Sequence, residues 1–79
     1  MELSYDPANN IAYIRFRPKT EEVESLKISD ELVLDLTLDG KIYGIELLNA
    51  NEQLADGETG KFLFCNQATG KEVEFPVPV

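Results

Sequence analysis

The side chains best equipped for chemistry in this 79-residue chain are carboxylates gathered around one dipeptide. Asp35-x-Thr37-x-Asp39-Gly40, followed by Ile42 and Glu46, misses by one residue, Thr37, the spacing D-x-[DN]-x-[DN]-G-x5-E with which a loop surrounds calcium in oxygen ligands. Asp35, Asp39 and Glu46 are therefore the candidate metal ligands or acids, and a carboxylate pair such as Asp35 and Glu46 is also the minimum for glycoside hydrolysis. That calcium loop needs a helix on each side. Here Leu32, Leu34, Leu36 and Leu38 alternate with Val33, Asp35 and Thr37, the period of a strand with one buried face. The hairpin reading takes precedence, with Asp35 and Glu46 solvated together on its non-leucine face, and neither a metal, a cofactor nor a catalytic residue is expected.

The remaining inventory points away from catalysis. Histidine is absent, which removes the commonest general base, the usual partner of a nucleophilic serine or cysteine, and the commonest transition-metal ligand. Cys65 lies in an apolar run with Phe62, Leu63 and Phe64, has no neighbouring cation in sequence to activate it, and reads as a small strand residue; being single, it forms no internal disulfide. Arg15 and Arg17, alternating with Phe16, offer a small anion contact, although pairing with glutamates is their simpler use. Glu21, Glu22 and Glu24 read as a solvated edge that discourages sheet aggregation. Gly40, Gly44, Gly57, Gly60 and Gly70 are scattered and make no phosphate loop.

Charge narrows the partners. Fifteen acidic residues against seven basic ones give a net charge of −8, a field that repels nucleic-acid phosphates and anionic membranes and favours a basic protein partner, while its plainest consequence is solubility. Without an apolar N-terminal run for a secretion signal or membrane span, and with one cysteine, the expected compartment is a reducing cytoplasm. With 43% hydrophobic and 28% charged residues the chain has enough apolar surface to fold. A single domain over 1–79 is expected, marginal in stability because so short a chain buries only about 60–65% of its unfolded surface.

These residues have to be positioned by strands. The leucine strand runs into Asp39-Gly40, suited to a two-residue type I′ turn, and then into 42–48; that loop sets Leu38 opposite Lys41, Leu36 opposite Tyr43, Leu34 opposite Ile45 and Leu32 opposite Leu47. Upstream, 3–5 and 11–17 form a hairpin around Asp6-Pro7-Ala8-Asn9-Asn10, and 22–28 is a strand entering the leucine strand through Ser29-Asp30-Glu31. Asn49 with Glu52 proposes the cap of one short helix near 50–55, stopped at Gly57. A last hairpin joins 61–65 to 72–77 around 66–70, with Pro76 and Pro78 suiting an edge or an end. The fold class is mainly β, bordering on α+β: an antiparallel meander of sequential hairpins with one short helix.

The order Tyr5-Asp6-Pro7, Tyr13-Ile14-Arg15, an acidic stretch, Leu34-Asp35, and then the run Asp39-Gly40-Lys41-Ile42-Tyr43-Gly44-Ile45-Glu46-Leu47-Leu48-Asn49-Ala50 resembles the small prokaryotic family catalogued as domain of unknown function 2283. The resemblance covers roughly 1–54, leaving 55–79 as a C-terminal hairpin extension, and Asn10 stands where that family is expected to carry an acid. It implies a compact β-rich domain, supplies no catalytic residue, and suggests one half of a two-gene system such as an antitoxin. The functional expectation is a protein-interaction module, most simply a homodimer. Ile11, Tyr13 and Arg15 are its interface candidates, because Ile11 and Tyr13 lie on the opposite side of their strand from Ala12, Ile14 and Phe16, so both faces carry apolar side chains. A self-contained structural domain is the alternative, and a cation-dependent or enzymatic protein built on Asp35, Asp39 and Glu46 a further one.

Overall fold

Alternation at this strength leaves the chain little choice but sheet. In the computed structural model, which describes residues 1–19, 22–55 and 60–77, the order is β1 (Glu2–Asp6), β2 (Ile11–Arg15), β3 (Val23–Ser29), β4 (Leu32–Thr37), β5 (Ile42–Leu48), α1 (Ala50–Ala55), β6 (Lys61–Cys65) and β7 (Glu72–Pro76). Every expected hairpin forms, all pairings are antiparallel, and the helix falls at 50–55 as expected. The expected stop at Gly57, the outer Glu21 of the acidic run and Pro78 lie outside the described residues. No helix among the described residues is long and apolar enough to cross a membrane.

The five-stranded sheet has the order β1-β2-β5-β4-β3, so β5 lies between β4 and β2, while β6 and β7 form a separate two-stranded sheet. Sequential hairpins thus account for every pairing but one. The exception, β2 with β5, joins the first hairpin to the β3-β4-β5 meander, with Ala12 opposite Leu47 and Ile14 opposite Ile45. It sends the chain after β2 across the end of the sheet to the far edge. The start of that crossing is held by the Phe16 amide on the Tyr43 carbonyl at 2.9 Å and by Arg17 Nε on the Ile42 carbonyl at 3.0 Å.

The leucine hairpin corrects one detail of its expected register. Leu32 faces Leu47 and Leu34 faces Ile45 as expected, but Leu36 faces Ile42, and Tyr43 is the extra residue of a bulge. The cause is the turn. Among the described residues Asn10 and Asn49 are the non-glycine positions with positive φ, so Asp39 does not adopt the geometry that a type I′ loop requires; Gly40, at φ 86°, does. The loop is instead Leu38-Asp39-Gly40, closed by the Gly40 amide on the Thr37 carbonyl at 2.9 Å and the Thr37 amide on the Lys41 carbonyl at 2.8 Å. Thr37 favours this loop: its hydroxyl bonds the Asp39 carboxylate and accepts the Lys41 amide at 3.0 Å. The bulge then restores the register that buries the leucines, because a one-residue slip carried onward would turn the whole strand inside out. Leu38, expected in the core, is consequently in the loop and 73% exposed.

Pairing aligns whole rows of side chains. Leu26, Leu34, Ile45, Ile14 and Leu3 stand in register across all five strands, and Leu32, Leu47, Ala12 and Tyr5 form the next row on the same face. The opposite face carries Ser25, Asp35, Gly44 and Arg15 in one row and Lys27, Val33, Glu46 and Tyr13 in the next. Helix α1 contacts β2, where Ala50 and Ala12 are completely buried. Its first turn is capped from the β1–β2 loop. The Asn51 amide donates to Asn10 Oδ1 at 2.7 Å, Asn10 Nδ2 donates to Asn49 Oδ1 and Asn51 Oδ1, and the Ala50 amide donates to the Asn10 carbonyl at 3.0 Å. Asn49 meets Glu52 as the sequence proposes, side chain to side chain at 2.8 Å, but the backbone donor is satisfied by Asn10.

Replacing Asn10 by glycine keeps its left-handed backbone free of strain and removes its three side-chain hydrogen bonds. Asn10→Gly should lower stability by about 0.5–1.5 kcal/mol, the net worth of a typical hydrogen bond, in urea unfolding followed by circular dichroism. Unchanged stability would mean that the β1–β2 loop does not hold the helix.

Candidate functional site

The most organised polar group lies on the sheet face away from the leucines and spans four strands. Tyr13 of β2 lies diagonally over Gly44 of β5, and its hydroxyl donates to Asp35 Oδ2 of β4 at 2.6 Å; from β3, the Ser25 hydroxyl donates to Asp35 Oδ1, also at 2.6 Å. Gly44 is glycine for want of space rather than for its dihedral angles. A Cβ there would stand 2.5 Å from Tyr13 Cζ and 2.7 Å from Cε1, closer than van der Waals contact permits. An aromatic ring laid over a strand glycine also covers backbone that would otherwise be open to water.

Electrostatics fix the protonation of this group. Burial of the Tyr13 phenol, together with its hydrogen bond to the Asp35 carboxylate, pushes its pKa well above the ordinary tyrosine value, so it is a neutral donor throughout the physiological range. Both Asp35 oxygens hold a hydroxyl, and none of the three residues is an activated nucleophile: Ser25 faces a weakly basic carboxylate where a hydrolase would place a histidine. The arrangement orders side chains across four strands.

The candidate ligands separate accordingly. Asp35 and Glu46 share a face, as their spacing requires, but Asp35 is engaged by Tyr13 and Ser25. Asp39 sits in the loop, bonded by Thr37 and 3.6 Å from Lys41 Nζ; the Thr37 hydroxyl, ahead of the lysine, holds its carboxyl below the usual range. Strands β4 and β5 flank the calcium-like motif in place of helices. Among the described residues no three His, Cys, Asp or Glu side chains stand where they would hold a metal ion.

Of the interface candidates, Ile11, Tyr13 and Arg15 all lie on β2, an interior strand between β1 and β5, and none is fully exposed. Arg15 spans 2.9 Å to the Arg17 carbonyl and 4.0 Å to Glu2, while Arg17 is spent on the Ile42 carbonyl. Where the crossing after β2 meets the β4–β5 loop, Arg17, Glu22, Thr37, Asp39 and Tyr43 line a shallow depression of about 380 Å³ with charges of both signs. Cys65 is free and exposed at the end of β6. The sequence signal for the four-strand row was a glycine inside an otherwise apolar strand, Gly44, with an aromatic on a neighbouring strand; Ser25 carried no signal.

Exposed apolar surface is the other feature. Leu3 and Leu26, at the two ends of the leucine row, are each 41% exposed. On the β6–β7 hairpin, Phe62 faces Phe75 with ring centroids 6.3 Å apart, and Phe64 faces Val73, which puts four apolar side chains on one face. All four are about half exposed.

Compared with known proteins, residues 2–51 match the family described as "Protein of unknown function (DUF2283)", close to the span of 1–54 inferred from the motifs. No curated protein and no solved structure matches the chain.

Gly44→Ala should force the Tyr13 ring off Asp35 and destabilise the sheet by about 1–3 kcal/mol, the range for overpacking. Adding Tyr13→Ser should remove most of that penalty, so that a double-mutant cycle reads a coupling of about 1 kcal/mol or more; additive effects would refute the contact.

The pH dependence follows from the raised Tyr13 pKa. Above the unfolded-state value near ~10 the unfolded chain releases this proton before the folded one does, so the contribution is complete below that pH and lost as pH rises past it. Wild type should therefore lose stability relative to Tyr13→Phe between neutral pH and pH about 11. Parallel profiles for the two proteins would contradict the assignment.

Proposed function

We propose, for a chain that belongs to the family of proteins of unknown function DUF2283, that it is a protein-interaction module working through the apolar face of its sheet. The observation that carries this reading is area. A folded monomer of 8.9 kDa exposes about 4,800 Å². This chain exposes 6007 Å² in all, roughly 1,200 Å² more, and the exposed Leu3 and Leu26 on the sheet and Phe62, Phe64, Val73 and Phe75 on the hairpin are part of that total, where a specific interface takes about 800 Å² from each partner. Its radius of gyration, 14.0 Å, is likewise larger than the about 12 Å expected at this length.

The net charge of −8 favours a basic partner or one that meets the sheet where charges are sparse; surface repulsion is screened within about 8 Å at physiological salt. A cytoplasmic setting suits the exposed Cys65, and a partner made alongside it, as in a two-gene system, is compatible with this reading. A self-contained structural domain accounts for the polar row but leaves the surplus surface unexplained. In the cation-dependent reading Asp35 would have to give up or share the two hydroxyls it already accepts, those of Tyr13 and Ser25.

A photo-crosslinking benzoylphenylalanine in place of Leu26, introduced in the native cell, should give one discrete protein adduct. The same probe at Asp30, whose side chain is fully exposed, should not. Adducts at neither position, or equal adducts at both, would overturn the interaction reading.

A further inference from the structure

We infer that the partner is a second copy of this chain, and that the β6–β7 hairpin of each copy lays Phe62, Phe64, Val73 and Phe75 on the leucine face of the other copy's five-stranded sheet. This rests on the interaction reading and names its partner.

Two uncovered surfaces in one molecule carry the inference. The hairpin presents an apolar face, made by the Phe62–Phe75 and Phe64–Val73 pairs, yet its described residues make no substantial packing contact with the sheet or the helix of their own chain. A lone two-stranded hairpin is marginal in water and needs a surface to lie on. The leucine face has the opposite need. Helix α1, six residues long, packs mainly on β2 and reaches the β3–β4 turn through Gln53, whose side chain donates to the Glu31 carbonyl, while Leu26 of β3 stays 41% exposed. A sheet with one apolar face buries it against a second layer, and a hairpin is a layer of the right kind.

Charge selects hairpin on sheet over sheet on sheet. Residues 1–55 hold eleven Asp or Glu and five Lys or Arg, whereas 60–77 hold two of each, so the hairpin is the neutral part of an acidic protein. Stacking two sheets would bring the acidic bodies together; laying a hairpin on each sheet places neutral against acidic. Exchange between two copies uses each surface once in each chain, which closes a two-fold dimer with no apolar face left to propagate a fibre. The surplus of roughly 1,200 Å² per chain is enough for such a dimer, whose standard requirement is about 800 Å² per partner. The hairpin also lies wholly beyond the family match at 2–51, so the extension provides the cover that the shared sheet lacks.

The full chain should run in size-exclusion chromatography with light scattering at twice 8.9 kDa. A hairpin variant, Phe64→Asp with Phe75→Asp, and a sheet variant, Leu3→Asp with Leu26→Asp, should each associate about 100-fold more weakly. Mixed together they should recover a one-to-one dimer, because one hairpin and one sheet remain intact. A dimer whose variants do not rescue one another would overturn the pairing. Should a variant fail to fold by circular dichroism, a mixture of isotope-labelled and unlabelled wild type decides: nuclear Overhauser contacts between Phe64 or Phe75 rings and Leu26 or Leu34 methyls must cross between chains, and contacts within one chain only refute the inference. A wild-type monomer at millimolar concentration refutes it too. If the Leu26 probe then captures a different protein, the interaction reading stands; if it captures nothing, both fall.

Discussion

A tyrosine lying over a glycine holds this sheet in the form that it has. Tyr13 can reach Asp35 only because Gly44 has no side chain, and in doing so it binds β2 to β4 across β5, while Ser25 extends the connection to the edge strand. The pairing that it reinforces, β2 with β5, is the one not made by chain neighbours. Backbone hydrogen bonds alone would permit that pairing to slip, since a ladder is indifferent to side chains; a ring that fits only over Gly44 and a hydroxyl that must meet a carboxylate are not. Glycine inside a strand costs about 0.5–1 kcal/mol in conformational freedom, and the ring offsets this by covering the exposed backbone and adding a charge-assisted hydrogen bond.

The same contact makes the two faces of the sheet unlike one another. On the polar face the groups that resemble chemistry are satisfied by one another: the phenol is held neutral, both carboxylate oxygens are occupied, and the arginines of β2 and its extension end on backbone carbonyls. The leucine face is in the reverse condition, with aligned apolar rows, a short helix packed mainly on β2, and partly exposed leucines at both ends.

How much of this was legible in the sequence follows from the range over which each interaction acts. Hairpins are local, and the alternation from Leu32 to Leu38 together with turn residues located all four. The register of Leu32 and Leu34 was legible because a period of two admits only one pairing that buries them. Its last two residues were not, because Thr37 and its hydroxyl chose a three-residue loop and a bulge absorbed the difference. Contacts between distant segments left fainter traces: Asn10 caps a helix 41 residues away, and Gly44 with Tyr13 is a pair that a single sequence shows as two unrelated oddities. The calcium-like spacing was real as spacing, but strands carry Asp35 and Glu46 on one face and leave Asp39 in the loop.

The fully or nearly buried apolar side chains among the described residues are those of Ala12, Tyr43 and Ala50, and no large side chain is completely enclosed. A sheet five strands wide with so small an interior is stabilised mainly by its ladders and by the polar row, and net stabilities of folded domains are only about 0.05–0.15 kcal/mol per residue. Any surface that covered the leucines would therefore add to folding as well as to binding, because it would enclose the half-buried Leu34, Ile45 and Ile14. On the proposed interaction reading, stability is then a function of partner concentration, and the unfolded chain competes with the assembled one rather than with an isolated monomer. Folding and recognition on that reading draw on the same rows of side chains, and the alternation that builds the strands also builds the surface on which they would act.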